Sequence, residues 1–185
     1  MKMSATNRGG KRIRADFYQT PVSVIKNFLA HHKVQSGNIL DPSAGSGNFA
    51  KAIKSMGYTN PITSIEIRRE EYETLKQFGG VFIEDFLNWH PDKEYKTIIT
   101  NPPYSIALDF LKKSFEIAGA TTEIIMLLRL AFLESKKRFN FWQHHPVNRL
   151  YVLSRRPSFT EGGTDATAYA WFVWDNSNTQ MIKVI

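Results

Sequence analysis

The chain has 185 residues, the size of one compact domain, and it has no cysteine, which excludes disulfides and thiolate metal sites. Lys and Arg number 24 against 17 Asp and Glu, and the net charge of +7 favours a polyanionic partner, either nucleic acid or an anionic membrane surface, with a charge that only aids solubility as the alternative. The 42% of hydrophobic residues suffice for a buried core, no secretory leader is visible, and no apolar run reaches the roughly 20 residues of a membrane span, so we expect a globular cytoplasmic protein.

The predicted elements begin after a basic N-terminal segment. Residues 1–14 are rich in Gly, Ser, Thr and Asn and contain almost nothing apolar, so we expect a flexible basic arm, followed by one catalytic domain over 15–185. Thr20–Pro21 is typical of a helix start, with the Thr20 hydroxyl as a cap and proline at the first helical position.

Short apolar segments then alternate with helical patterns. The predicted strands are 39–40, 62–67, 81–83, 97–100, 123–128, 150–153 and 168–174, and the predicted helices between them are 50–56, 70–78, 106–118 and 132–142. This alternation predicts an α/β, Rossmann-like fold with a mostly parallel seven-stranded sheet and helices on both faces. Because only a loop precedes it, the final strand should run antiparallel to its predecessor.

A glycine-rich loop follows the first predicted strand. The residues Asp41-Pro42-Ser43-Ala44-Gly45-Ser46-Gly47-Asn48-Phe49 form a small-residue turn and a helix start, where backbone can approach a ligand. Asp41 would repel the pyrophosphate of a dinucleotide and suits a cationic amino-acid portion instead. A glycine turn without any ligand is the alternative.

Acidic residues end the next two predicted strands. Glu66 is placed to accept hydrogen bonds from both hydroxyls of a ribose. Asp85 could accept one from an adenine amino group, and Phe86 could pack on the adenine ring. A helix cap is the alternative interpretation of Asp85.

The most informative motif is Asn101-Pro102-Pro103-Tyr104, which follows the strand 97–100. The Asn101 side-chain oxygen and the Pro102 carbonyl are two acceptors for the hydrogens of an exocyclic amine. Holding both hydrogens favours pyramidal geometry at nitrogen and frees its lone pair to attack a methylsulfonium, and Tyr104 would stack on the ring. A purely structural Asn-Pro-Pro turn is the alternative.

At these residues the chain resembles the class I S-adenosylmethionine-dependent methyltransferases, specifically the adenine N6-methylating enzymes of phage and restriction-modification type with the gamma order of motifs. The resemblance runs from about Asp16 to Trp174 and implies S-adenosylmethionine as the cofactor. The cofactor residues that it implies are Phe17, Tyr18, Gln19, Thr20 and Pro21 for the methionine part, Asp41, Pro42, Ser43, Ala44, Gly45, Gly47, Asn48 and Phe49 in the glycine loop, Glu66 with its neighbour Ile67, Asp85, Phe86 and Asn101.

The resemblance also bears on the substrate. Gamma enzymes usually append a target-recognition domain, but few residues follow Trp174 here, so we expect short or relaxed sequence specificity. The loop after the strand 150–153 should border the catalytic motif, with Arg155 and Arg156 for phosphate, Phe159 for stacking on a flipped base and Gly162-Gly163 for mobility. Lys136, Lys137 and Arg138 could add backbone contacts. An ordinary hairpin loop and a solvated charged face are the alternatives.

We therefore expect a DNA adenine N6-methyltransferase that acts on a flipped adenine, with nucleic acid, here double-stranded DNA, as its partner. Other acceptors stay open, because their nitrogen lone pair is delocalised in the same way. These are RNA adenine, cytosine N4 and a protein glutamine amide. A catalytically silent nucleic-acid-binding module is a further alternative. No metal is expected, because His31–His32 and His144–His145 are adjacent pairs that diverge on a helix. The sequence leaves the oligomeric state open.

Overall fold

The computed structural model describes residues 19–159 and 166–185. The predicted arm 1–14, the cofactor candidates Phe17 and Tyr18, and Gly162-Gly163 lie outside the described residues. The helices are α1 Val22–His31, α2 Asn48–Ser55, α3 Tyr72–Leu75, α4 Ala107–Ile117 and α5 Phe139–His144. The strands are β1 Ile39–Asp41, β2 Ile62–Glu66, β3 Gly79–Ile83, β4 Thr97–Thr100, β5 Glu123–Arg129, β6 Arg149–Val152, β7 Tyr169–Trp174 and β8 Met181–Val184.

The sheet has eight strands in the order β3-β2-β1-β4-β5-β7-β6-β8. β7 runs antiparallel to β6, as predicted, and it is also antiparallel to β5, while the other pairs are parallel. The prediction of seven strands is wrong by one, because β8 adds to the edge beside β6. β8 follows a polar Asn-Ser-Asn-Thr stretch and leaves Ile182 and Val184 exposed, so no buried apolar pattern marks it.

Two predicted helices are much shorter in the structure. The predicted helix 70–78 is a 3₁₀ turn at Arg69–Glu71 followed by the single-turn α3. The predicted helix 132–142 divides into 3₁₀ turns at Leu130–Leu133 and Lys136–Arg138 and the short α5. β3 begins at Gly79, two residues earlier than predicted. A Cβ on residue 79 would lie 2.1 Å from the Ile62 carbonyl oxygen, so only glycine allows this pairing with β2.

Helices cover both faces of the sheet because neighbouring strand residues point to opposite faces. Ile39 and Ile99 pack under α1 and α2, whereas Leu40 and Ile98 pack under α4 and α5. Each side chain of this kind stabilises the fold by about 1.5–3 kcal/mol when fully buried. The sheet is therefore fixed from both sides. Among the described residues, no helix has the length and apolarity to cross a membrane.

The topology defines where a ligand can bind. The chain moves from β1 outward to β2 and β3 and then returns to place β4 on the other side of β1. Helices on opposite faces leave a crevice at such a reversal, outside the carboxyl ends of the strands. The loops after β1 and β4, which contain the glycine turn and the Asn101–Tyr104 motif, both open onto this crevice.

Candidate active site

The glycine turn after β1 is shaped by two left-handed residues. Gly45 has a φ of 56° and Gly47 a φ of 81°, values that side-chain-bearing residues rarely adopt. A Cβ on Gly47 would also lie 3.2–3.3 Å from the side chains of Leu75 and Phe78. The turn leads directly into α2, for which Gly47 is the N-terminal cap residue. The turn is therefore packed closely against Leu75 and Phe78, and its backbone is exposed to the crevice.

Glu66 is held in place beside this turn. Its carboxylate is buried and accepts hydrogen bonds from the Gly45 backbone N–H at 2.7 Å and from Arg68 Nε at 2.9 Å. The Arg68 backbone N–H donates a third, at 3.0 Å. Glu66 is therefore fixed at the end of β2, with its oxygens facing both the turn and Arg68.

Asp41 connects the turn to the end of β4. Thr100 Oγ1 donates to Asp41 Oδ1 at 2.9 Å and lies 2.7 Å from Ser43 Oγ, which in turn reaches the Asn101 carbonyl oxygen at 3.0 Å. Two hydroxyl hydrogens serve these three oxygen–oxygen contacts. When Asp41 is protonated, all three can be satisfied, with Asp41 donating to Thr100, Thr100 to Ser43 and Ser43 to the Asn101 carbonyl. Burial raises the pKa of Asp41 to about 7, against the opposing effect of its hydrogen bonds with Thr100 and Ser43.

One cavity joins the glycine turn, Glu66 and the Asn101 motif. Among the residues singled out in the sequence, its wall contains Gln19, Thr20, Pro42, Ser43, Ala44, Gly45, Asn48, Phe49, Glu66, Ile67, Asp85, Phe86, Asn101 and Pro103. Five of the described cofactor and catalytic candidates do not line it, namely Pro21, Asp41, Gly47, Pro102 and Tyr104. Asp41 supports the turn through Thr100 and Ser43 from beneath.

The segment before α1 closes one side of the cavity. The Gln19 side-chain amide donates to Ser46 Oγ, and Asn48 Nδ2 donates to the Thr20 carbonyl oxygen at 2.9 Å. The predicted Thr20 hydroxyl cap is wrong, because Pro21 occupies the N-terminal cap position and no side chain caps α1. Thr20 instead contributes its backbone to the contact with α2.

Asp85 lies at the cavity and also caps a turn, whereas the helix that the alternative interpretation required is absent from the described residues between β3 and β4. Its Oδ1 accepts a hydrogen bond from the Leu87 backbone N–H at 3.0 Å, so it caps the turn after β3. It also lines the cavity beside Phe86, whose ring centroid lies 5.1 Å from that of Phe110. This part of the wall is apolar and suits a flat ring.

Tyr104 is enclosed by other side chains. Its ring lies 5.6 Å from Tyr169 and 6.4 Å from Phe159, and the Arg129 guanidinium carbon lies 4.9 Å from its centroid. Burial and the neighbouring Tyr169 raise the pKa of Tyr104, so the phenol keeps its proton. Tyr104 does not line the cavity in this arrangement.

The proposed nucleic-acid residues differ in their placement. Phe159 contacts Tyr104 of the Asn101–Tyr104 motif, as the predicted course of its loop requires. Arg155 and Arg156 are exposed and lie apart from the cavity, with Arg155 beside Ser23 of α1. Arg138 stacks on Phe132 and donates through Nε to its carbonyl at 2.7 Å, so its first role is to hold the 3₁₀ turns together.

The chain is 32% identical over 95 residues to Type II methyltransferase M.HincII from Haemophilus influenzae, a match that covers 51% of this chain and 18% of the relative. Its structure is similar to a protein assigned as an RNA methyltransferase from Pyrococcus horikoshii, with 17% identity, a TM-score of 0.67 and coverage of 97% of this chain and 95% of that chain. A protein assigned to the class I S-adenosylmethionine-dependent methyltransferases from Listeria monocytogenes has a TM-score of 0.70 at 10% identity, covering 95% and 68%. The fold is that of a class I methyltransferase. No protein-family model matches the chain.

The methyltransferase fold also brings residues to the cavity that sequence reasoning missed. These are Arg68, Glu84, Ser105, Ile106 and Phe110, together with Ser46, which lies in the predicted turn but was not among its predicted cofactor residues. Arg68 is detectable in principle, because it lies two residues after Glu66 and both side chains then emerge at the end of the same strand. Phe110 is not, since its apolar character also fits a helix that simply covers the sheet.

The pKa of Asp41 predicts how the stability of this fold depends on pH. The pKa of Asp41 rises from 3.8 in the unfolded chain to about 7 in the folded chain. Below pH 4 Asp41 is protonated in both states, so the raised pKa leaves the free energy of unfolding unchanged. Between pH 4 and 7 only the unfolded chain ionises, so stability falls by up to about 4 kcal/mol, and the loss is complete above pH 7. Asp41→Asn removes this effect, and its free energy of unfolding relative to the native chain should rise with pH across this window.

Urea unfolding at pH 4, 6 and 8 measures the difference. The exposed Asp92→Asn, which also removes one carboxylate, is the matched control. A difference between the Asp41→Asn and native chains that stays the same at all three pH values would contradict a raised pKa at Asp41.

Proposed function

We propose that the protein is an S-adenosylmethionine-dependent DNA methyltransferase that modifies the exocyclic amine of adenine. The observation that supports this proposal most is the single cavity whose wall contains Gly45 of the glycine turn, Glu66, and Asn101 and Pro103 of the Asn101 motif. A cofactor site and an amine-binding motif that open into one space can bring two reactants together. Two sites in separate cavities could not bring the cofactor and the amine together.

The residues at the glycine turn fit S-adenosylmethionine. Glu66 offers carboxylate oxygens, already oriented by Gly45 and Arg68, to the hydroxyls of a ribose. The apolar wall of Phe86 and Phe110 suits an adenine, with Asp85 at its edge. By resemblance, Gln19 and Thr20 would hold the methionine part. When bound, the cofactor supplies a methyl group on a positively charged sulfur.

The Asn101 motif then holds the acceptor amine. The Asn101 side-chain oxygen and the Pro102 carbonyl accept its two hydrogens, which favours a pyramidal nitrogen with its lone pair exposed to the cavity. Ser43 Oγ fixes the Asn101 backbone through its carbonyl, so the cofactor turn and the motif are held in one register. No strong base is needed, because the amine proton can leave after nitrogen becomes positively charged.

Nucleic acid is the acceptor that the charge of the chain favours. The net charge of +7 suits a polyanion, and the curated relative bears the name of a Type II methyltransferase. Adenine N6 in double-stranded DNA, extruded from the helix toward Tyr104 and Phe159, is the proposed target.

The test is transfer from methyl-labelled S-adenosylmethionine to unmodified duplex DNA, RNA and a glutamine-containing protein, followed by nucleoside mass spectrometry. We expect N6-methyladenine in DNA, at a rate that falls steeply between 50 and 200 mM salt because phosphate contacts are screened. Label in RNA or protein alone would move the activity to another acceptor. Cofactor binding without product in any of the three would indicate a silent binding module.

A further inference from the structure

Arg129 covers the aromatic ring that the proposed function assigns to the target base. It is the last residue of β5, the strand next to β4, and its side chain reaches across the carboxyl edge of the sheet to the catalytic motif. Its guanidinium carbon lies 4.9 Å from the Tyr104 ring centroid, and its Nε lies 3.4 Å from the Tyr169 hydroxyl. Arg129 is nevertheless exposed to solvent as a whole.

A guanidinium over a ring uses the same face that a stacked base would use. Both groups are flat, and both are attracted to the π-face of tyrosine. They cannot occupy this face together. A base that stacks on the Arg129 side of Tyr104 must therefore displace the guanidinium.

We propose that Arg129 holds the place of the target base in the free protein and moves to a phosphate of the extruded nucleotide when the base enters. This inference rests on the proposed function. At the face of the Tyr104 ring itself, an exposed cation–π contact shifts an equilibrium by about 2- to 5-fold, whereas base–aromatic stacking shifts it by about 5- to 150-fold, so this face prefers the base. The displaced guanidinium keeps its charge and its fork of donors, which match a phosphate.

This placement distinguishes Arg129 from a residue that only braces Tyr104. A residue that only supports the Tyr104 ring favours the binding of every ligand of the motif, so its removal weakens the binding of all of them. In the proposed role, Arg129 competes with the base for the Tyr104 ring but contributes to binding of the phosphate. Its removal should therefore have opposite effects on an acceptor without phosphate and on DNA.

The test uses the full chain saturated with S-adenosylhomocysteine, so that added adenosine cannot occupy the cofactor site. In Arg129→Gln we expect adenosine to bind about 2- to 5-fold more tightly, and duplex DNA to bind more weakly with a salt slope reduced by about 0.9. Arg129→Lys keeps the charge and should restore the salt slope. Lys183→Gln, which removes one positive charge from the edge strand β8, should leave adenosine binding unchanged.

Weaker binding of both adenosine and DNA in Arg129→Gln would assign Arg129 a bracing role and overturn the inference. Unchanged binding of both would overturn it as well. In either case methyl transfer by the native chain to DNA would leave the proposed function standing. If the native chain neither binds nor methylates nucleic acid, the proposed function fails and this inference fails with it.

Discussion

Replacement of Asn101 by alanine is expected to reduce methyl transfer to near background, with a fall in kcat of about 10²- to 10³-fold. The variant loses the side-chain oxygen that holds one amine hydrogen, while Pro102 keeps the other, so the nitrogen lone pair is no longer oriented toward the cavity. Because the backbone carbonyl of residue 101 still accepts from Ser43, the cofactor turn should keep its shape. Affinity for S-adenosylmethionine should therefore remain near normal.

Single-turnover transfer from methyl-labelled cofactor and calorimetric titration of the cofactor measure the two quantities separately. Asn38→Ala is a suitable control, since this asparagine bonds the Glu94 carbonyl at the opposite edge of the sheet. Activity of Asn101→Ala equal to that of the native chain would remove Asn101 from the mechanism.

Glu66→Gln should weaken the binding of S-adenosylmethionine by roughly 10²-fold. A hydrogen bond to a charged acceptor contributes about 1.5–3 kcal/mol, against about 0.5–1.5 kcal/mol for a neutral one, and the two proposed ribose contacts would lose that difference. The amide also cannot accept from Gly45, Arg68 Nε and the Arg68 backbone N–H with the same strength. The turn that faces the cofactor would be held less firmly as a result.

Calorimetric titration measures the affinity, and thermal unfolding without cofactor shows whether the fold itself is weakened. Glu84→Gln is the matched control, because Glu84 also lines the cavity but is exposed. An unchanged affinity in Glu66→Gln would show that Glu66 does not hold the ribose.

Much of the fold follows from local patterns in the sequence. Consecutive residues such as Ile98 and Ile99 are both apolar, which predicts a strand buried on both faces, and the structure packs them into opposite cores. β8 and the division of the 132–142 region have no such signature. Ile182 and Val184 are exposed, and the 3₁₀ turns around Phe132 depend on Arg138 reaching back to backbone carbonyls, a tertiary contact that no periodicity reports.

The candidate site was predictable to the extent that it follows strand ends. Glu66 ends β2, Asn101 directly follows β4 and Gly45 lies in the turn after β1, and parallel strands deliver such residues to one edge. No local pattern in the sequence predicts that β4 lies beside β1. This adjacency brings Thr100 to Asp41 and Ser43 to Asn101. Arg129 was missed because its significance depends on the ring beneath it.

The most direct test of the account is a crystal structure of the protein with S-adenosylhomocysteine. We predict the ribose hydroxyls on the Glu66 carboxylate, the adenine against Phe86, and the sulfur facing the Asn101 side chain across the shared cavity. A ligand bound elsewhere, or a sulfur directed away from Asn101 with the motif closed off from it, would contradict the claim that one cavity unites the cofactor and the acceptor amine.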